Sequence, residues 1–198
     1  MKILRYLAIV ILLAVLGCAP RVANVDSTGT TIVCFGDSIT EGAGAARGED
    51  YPSVLADMVS LPVINAGVGA NTTTDALARI ETDVFDHDPK MVIILLGGND
   101  FLKKVPKAKT VANMEQIAGR VRKAGAIPVI AVVKIGLVGD FYTREFKRIA
   151  RENGAVFIPD IMKGILTDPK LKYDYIHPNA AGYQIIAERI YKAIEKLL

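Results

Sequence analysis

Beyond residue 29 the chain alternates short aliphatic runs with longer stretches in which apolar residues recur every three or four positions. Runs at 31–35, 62–65, 91–95, 127–132 and 156–158 have the length and Val/Ile content of buried strands. Between them, 51–59, 73–83, 108–124 and 143–152 read as amphipathic helices, and a last helix spans 179–197. In that last segment Tyr183, Ile186, Ala187, Ile190, Ile194 and Leu197 make one apolar stripe, which marks a core-facing helix and not a cofactor site. Strand and helix in alternation predict an α/β fold, with a five-stranded parallel sheet covered by helices on both faces.

The first residues follow a different pattern. Lys2 and Arg5 precede an uncharged, mostly aliphatic run over 6–17, and then comes Cys18. The run is well short of the ~20 residues that span a bilayer, so it reads as a signal peptide. Val15-Leu16-Gly17-Cys18 resembles the bacterial lipobox, which implies cleavage after Gly17 and acylation of Cys18 as the new N-terminus. An ordinary secretory signal with an incidental cysteine is the alternative. Residues 19–29 mix Pro, Asn, Ser, Thr and Gly with few large apolar groups, as a flexible tether does. The expected organisation is a leader at 1–17, a lipid-anchored tether at 18–29 and one domain at 30–198. The product would be exported and held on a bacterial periplasmic or outer surface.

Length and charge narrow the possibilities. The 198 residues suit one domain, and 51% hydrophobic with 23% charged residues is globular composition. The net charge of +3 falls to +1 once Lys2 and Arg5 are removed, and the remaining signs are interspersed, which excludes a nucleic-acid partner. Two Cys and two His are too few for a zinc finger, a disulfide framework or an iron–sulfur centre. Cys34, inside an apolar run, is expected to be a buried free thiol.

Open α/β sheets bind ligands beyond the carboxyl ends of their strands. The distinctive motifs lie there. Gly36-Asp37-Ser38-Ile39-Thr40 follows the first strand, Asn65-Ala66-Gly67-Val68-Gly69 the second and Gly97-Gly98-Asn99-Asp100 the third, while Asp174-Tyr175-Ile176-His177-Pro178 precedes the last helix. Ser38, on a turn from strand to helix, is a candidate nucleophile, and its backbone amide can face a developing oxyanion. His177 is a candidate base that Asp174, three residues earlier, would orient. The Asn99 amide and the Gly67 N–H are candidate oxyanion donors. Taken singly, each motif is equally a turn, a helix cap or a surface pair. His87, between Asp86 and Asp88 and before the third strand, belongs at the far end of the sheet and reads as solvent-facing.

Together these four blocks resemble the SGNH (GDSL-type) hydrolase superfamily, in particular its bacterial arylesterase and thioesterase I/lysophospholipase L1 branch. The resemblance runs from Thr31 to the C-terminus. It implies a flavodoxin-like three-layer sandwich, with Ser38 as nucleophile, His177 as base, Asp174 as its orienter and oxyanion donors from Ser38, Gly67 and Asn99. Asp37 would brace the loop, and no metal or organic cofactor is required. The implied activity is hydrolysis of carboxylic esters through an acyl-enzyme on Ser38. It would rise through roughly pH 6 to 7, where an ordinary imidazole becomes neutral. Short to medium acyl esters, aryl esters, thioesters and lysophospholipids are the expected substrates, with O-deacetylation of a carbohydrate as the alternative. A surface-binding lipoprotein without turnover is the reading from another class. The segment 133–141, with Ile135, Leu137 and Val138 among glycines, is either an apolar wall for the acyl chain or a plain connection.

Overall fold

Successive residues of a strand point to opposite faces of the sheet, and the first strand, β1 (Thr31–Gly36), shows it directly. Ile32 and Cys34 enter one apolar cluster, Val33 and Phe35 the other. In the computed structural model, which describes residues 22–134 and 138–198, four further strands continue this pattern: β2 (Val63–Gly67), β3 (Pro89–Leu95), β4 (Ile127–Ala131) and β5 (Val156–Ile158). All pair in parallel, in the order β2-β1-β3-β4-β5.

On one face α2 (Tyr51–Ala56) and α7 (Ala180–Ile194) pack Tyr51, Leu55, Tyr183, Ile186 and Ile190 against the sheet. On the other lie α3 (Thr73–Asp83), α5 (Lys107–Lys123) and α6 (Val138–Asn153), through Ile80, Met114, Ile117, Phe146 and Ile149. The result is the three-layer α/β sandwich expected from the alternation. Two short helices lie outside the five expected ranges: α1 (Ser38–Glu41), into which the turn at Ser38 leads as expected, and α4 (Gly98–Leu102). At four and five residues they are too brief for an apolar stripe to form. Helix α6 starts at Val138, five residues before its expected start, so part of the supposed 133–141 connection is helical; Ile135 and Leu137 lie outside the described residues. Asn179 caps α7 through Gly182 N–H, and 195–197 form a separate 3-10 turn.

Register sets the site. Gly36 stands beside Gly67 and Leu95, and Leu95 beside Ala131, so the strands end level and release their loops along one rim. From β1 the chain moves outward to β2 and then returns past β1 to β3, which puts the topological switch between β1 and β3.

The segment before β1 is not the loose tether that its composition suggests. Ala23 N–H donates to Gly154 O at 2.8 Å, and the Asn24 amide donates to Arg122 O and Ala126 O, both at 2.8 Å. Thr30 N–H reaches Asp88 O, also at 2.8 Å. A Cβ on Gly29 would stand 2.3 Å from Lys90 N, an approach only glycine permits. Residues 22–30 therefore form a strap across the amino ends of β5, β4 and β3. The expected leader and Cys18 lie outside the described residues. His87 is exposed at this amino end, as expected, and its carbonyl accepts the Thr31 hydroxyl at 2.7 Å.

Candidate active site

Asp37 ends the chain's run along β1 and caps α1, its Oδ1 accepting Ile39 N–H at 3.1 Å. A Cβ on Gly36 would overlap Thr40 Oγ1, so the threonine side chain tucks beneath the strand end and turns α1 sharply. That turn presents Ser38 at the rim. Thr40 is in turn fixed by Tyr51 Oη at 3.0 Å.

Ser38 Oγ lies 3.0 Å from His177 Nε2, and His177 Nδ1 lies 2.8 Å from Asp174 Oδ2. The structure thus brings together three residues drawn from opposite ends of the sequence. Asp174 and His177 do not stand on a helical turn, although three residues separate them. They occupy a tight bend closed by the Lys172–Pro178 bridge and by Tyr173 N–H donating to His177 O. Asp174 Oδ1 accepts the N–H groups of Ile176 and His177, each at 2.8 Å. The His177 ring first, and these two amides next, hold the Asp174 carboxyl down at about 2. A carboxylate so placed receives the Nδ1 proton, leaving Nε2 to accept from the serine.

Asn99 enters from the third loop. Gly97, at φ +104°, takes a left-handed turn that starts α4, and the Asn99 amide donates to Asp37 Oδ2 at 3.3 Å and to Asn71 O at 3.1 Å. Asp37 is buried, and desolvation pushes its carboxyl up to about 6 against the pull of the Ile39 amide and His177. It braces the loop.

Gly67 has a different position from the one expected. Its N–H donates to Asn65 Oδ1 at 2.9 Å, and a Cβ there would lie 2.1 Å from Glu41 N. The residue lets β2 close against α1, and its donor is turned to a neighbour and not to the rim.

Two residues that the sequence did not single out hold the rim together. Asp100, fully buried, accepts Thr73 N–H at 2.8 Å, Thr73 Oγ–H at 2.6 Å and Thr110 Oγ–H at 3.1 Å, tying α4 to α3 and α5. Arg79 donates to Gly36 O at 2.9 Å, Ala66 O at 3.0 Å and Asn71 Oδ1 at 2.7 Å, with its guanidinium over the Phe35 ring. It joins the ends of β1 and β2 to the Asn71 loop. Asp100 stands in a noted motif, so its signal was present; Arg79 looks like any cation on an amphipathic helix.

Beside Ser38 is a cavity of about 100 Å³ lined by Ile39, Leu102, Val133, Leu166 and Ile176, with Asn99 and His177 at its polar edge. Tyr175, 93% exposed, stands at its mouth.

A parallel sheet carrying a serine–histidine–aspartate relay at its switch point defines an ester hydrolase of the SGNH type. The chain belongs to the GDSL-like Lipase/Acylhydrolase family, whose model matches residues 34–185. It is similar to thioesterase 1/protease 1/lysophospholipase L1 of Escherichia coli strain K12, with 27% identity over 85% of each chain. Similarity to an arylesterase of Vibrio mimicus is 24%, covering 84% of this chain and 89% of the relative. Among solved structures, the psychrotrophic esterase EstA from Pseudoalteromonas sp. superposes with a TM-score of 0.76 at 25% identity, over 84% of this chain and 97% of that one.

Proposed function

We propose that this esterase works by two-step acyl transfer on Ser38. His177 Nε2 takes the hydroxyl proton as Oγ attacks the ester carbonyl, and the tetrahedral oxyanion is met by the Ser38 N–H and by the Asn99 amide, which turns one N–H from Asn71 O to the oxyanion and keeps the other on Asp37. Collapse expels the alcohol or thiol, which receives the proton from His177. A water activated by His177 then attacks the acyl-enzyme and releases the acid. Asp174 keeps the imidazole in one tautomer throughout. The observation that carries this reading is the continuous relay, 3.0 Å from serine to histidine and 2.8 Å from histidine to aspartate.

The cavity favours short acyl groups. At about 100 Å³ it is smaller than the ~150 Å³ cavities that take up a benzene ring, and its apolar lining suits a few methylenes and not a long chain. Aryl and thioester leaving groups would occupy the open side. The exposed Tyr175 at the mouth supports a second reading, removal of an acetyl group from a carbohydrate, since an aromatic face there can stack on a sugar ring. An intact relay argues against a surface protein that only binds. The same reading includes export as a lipoprotein acylated on Cys18.

The deciding experiment is an acyl-chain series of p-nitrophenyl esters run beside acetylated oligosaccharides, with fluorophosphonate labelling as the active-site count. The expected result is label on wild type and none on Ser38→Ala, with turnover falling beyond short chains. Label retained by Ser38→Ala overturns the assignment.

A further inference from the structure

A second groove lies far from the catalytic rim, between α6 and the β5 edge. Its volume is about 310 Å³, and Ala155, Phe157 and Val22 give it an apolar floor. Arg144, Lys147, Arg148 and Arg151 line it at positions i, i+3, i+4 and i+7 of α6, which is one face of the helix. Arg148 is neutralised by Glu115, Glu145 and Glu152. Arg144, Lys147 and Arg151 are exposed and form no ion pair among the described residues. Three uncompensated cations thus overhang an apolar trough.

Val22, which lines the groove, is also where the strap begins, four residues after Cys18. Four residues in any conformation reach at most ~14 Å. The strap is bound to Ala126, just before β4, whereas Val133, beyond the other end of β4, lines the catalytic cavity. Seven residues of extended chain put ~23 Å between those levels. A lipid on Cys18 is therefore tethered within that reach of Val22, a residue of the cationic groove and not of the catalytic cavity.

We propose that this groove seats anionic phospholipid headgroups of the membrane that holds Cys18, so that the catalytic mouth opens away from that membrane. Phosphates meet Arg144, Lys147 and Arg151 while the apolar floor faces the acyl boundary. Acylation fixes only a point, and the cations set the attitude of the domain about it. The consequence for substrate is direct: esters reach the site from the aqueous side. This orientation rests on the lipoprotein reading above; the headgroup contact does not.

The test compares the full chain with its R144Q/K147Q/R151Q variant in co-sedimentation with phosphatidylcholine vesicles and with vesicles containing about one-third phosphatidylglycerol, the measured quantity being the ratio of the two partition coefficients. Any apolar leader contributes equally to both and cancels. A clear preference of wild type for the anionic vesicles is expected, reduced on the order of 100-fold in the variant and weakened by salt, since each cation near such a surface contributes about fivefold. Hydrolysis of p-nitrophenyl acetate should be unchanged, which reports that the variant is folded. Equal ratios for the two proteins, or no preference in wild type, overturn the groove. Acylation is read separately from the intact mass of chain recovered from cell membranes: an unmodified Cys18 overturns the orientation, whatever the vesicles report.

Discussion

The Asn99 amide donates to a carboxylate, Asp37 Oδ2 at 3.3 Å, and that carboxylate is buried at the switch point beside Ser38. The proposed oxyanion donor is thereby held in place by a charge that the fold must keep out of water. Asn99→Ala should leave a folded protein with kcat lower by ~10²–10³, the loss typical for one such donor. Steady-state kinetics on a short p-nitrophenyl ester decide it, and unchanged turnover would remove Asn99 from the mechanism.

Asp37 links stability to pH in an unusual direction. Its folded value of about 6 exceeds the ordinary 3.8, so the folded state favours the protonated carboxyl. Below the ordinary value both states carry the proton and no difference arises. As pH rises through about 6, the ionised group in its buried site costs the folded protein about 3 kcal/mol. Asp37→Asn should therefore match wild type in thermal melts at pH 4, exceed it at pH 8, and lose activity because Asn99 is no longer anchored by a charge. A Tm difference that does not grow with pH contradicts this account.

Asp174 has the opposite sign. Its folded value, lowered to about 2 by His177 and the two backbone amides, contributes stability that is present above the ordinary 3.8 and fades as pH falls toward 2. Because the group is well exposed, the melting effect should be small. The kinetic effect should not be: Asp174→Asn would favour the wrong tautomer and reduce kcat by ~10³–10⁴. The near-loss of turnover with little change in Tm is the expected pair of readings.

Arg79→Lys keeps the charge but cannot reach two strand carbonyls and a side-chain amide at once. Lower kcat with a modestly reduced Tm is expected, and a wild-type kcat would mean that the β1 and β2 ends hold their spacing without the fork. Gly67→Ala supplies a contrasting case. With Glu41 N only 2.1 Å from the new Cβ, the substitution should cost at least about 3 kcal/mol and lower Tm sharply.

The sheet and most helices were legible because their signal is periodic burial, which a linear pattern carries. Helix α3 (Thr73–Asp83) matched its expected bounds because Thr72 and Asp75 make a capping box at its start. The rim was legible in part. Ser38, Asn99, Asp174 and His177 converge because each follows a strand or precedes a helix, and topology does the rest. Gly67 shows where this reasoning fails, since a glycine near a site can serve a donor or a close approach, and only the position of Glu41 separates the two. Arg79 and Asp100 went unread for a related reason: their partners lie up to 43 residues away in sequence, and no spacing rule encodes a carbonyl at the end of a strand. The strap misled because Gly29 and Asn24 have the composition of a linker but serve tight packing and a left-handed turn at φ +57°.

The bend that carries Asp174 and His177 is sealed by its own main chain. Acid and imidazole consequently travel as one cassette, and a shift of Lys172 or Pro178 moves both without altering how they address each other. Drift in the surrounding scaffold can then widen or narrow the approach to Ser38 while the Asp174–His177 geometry is kept. In such a design, changes of leaving-group preference are reached through neighbouring segments, and the chemistry itself need not be reinvented.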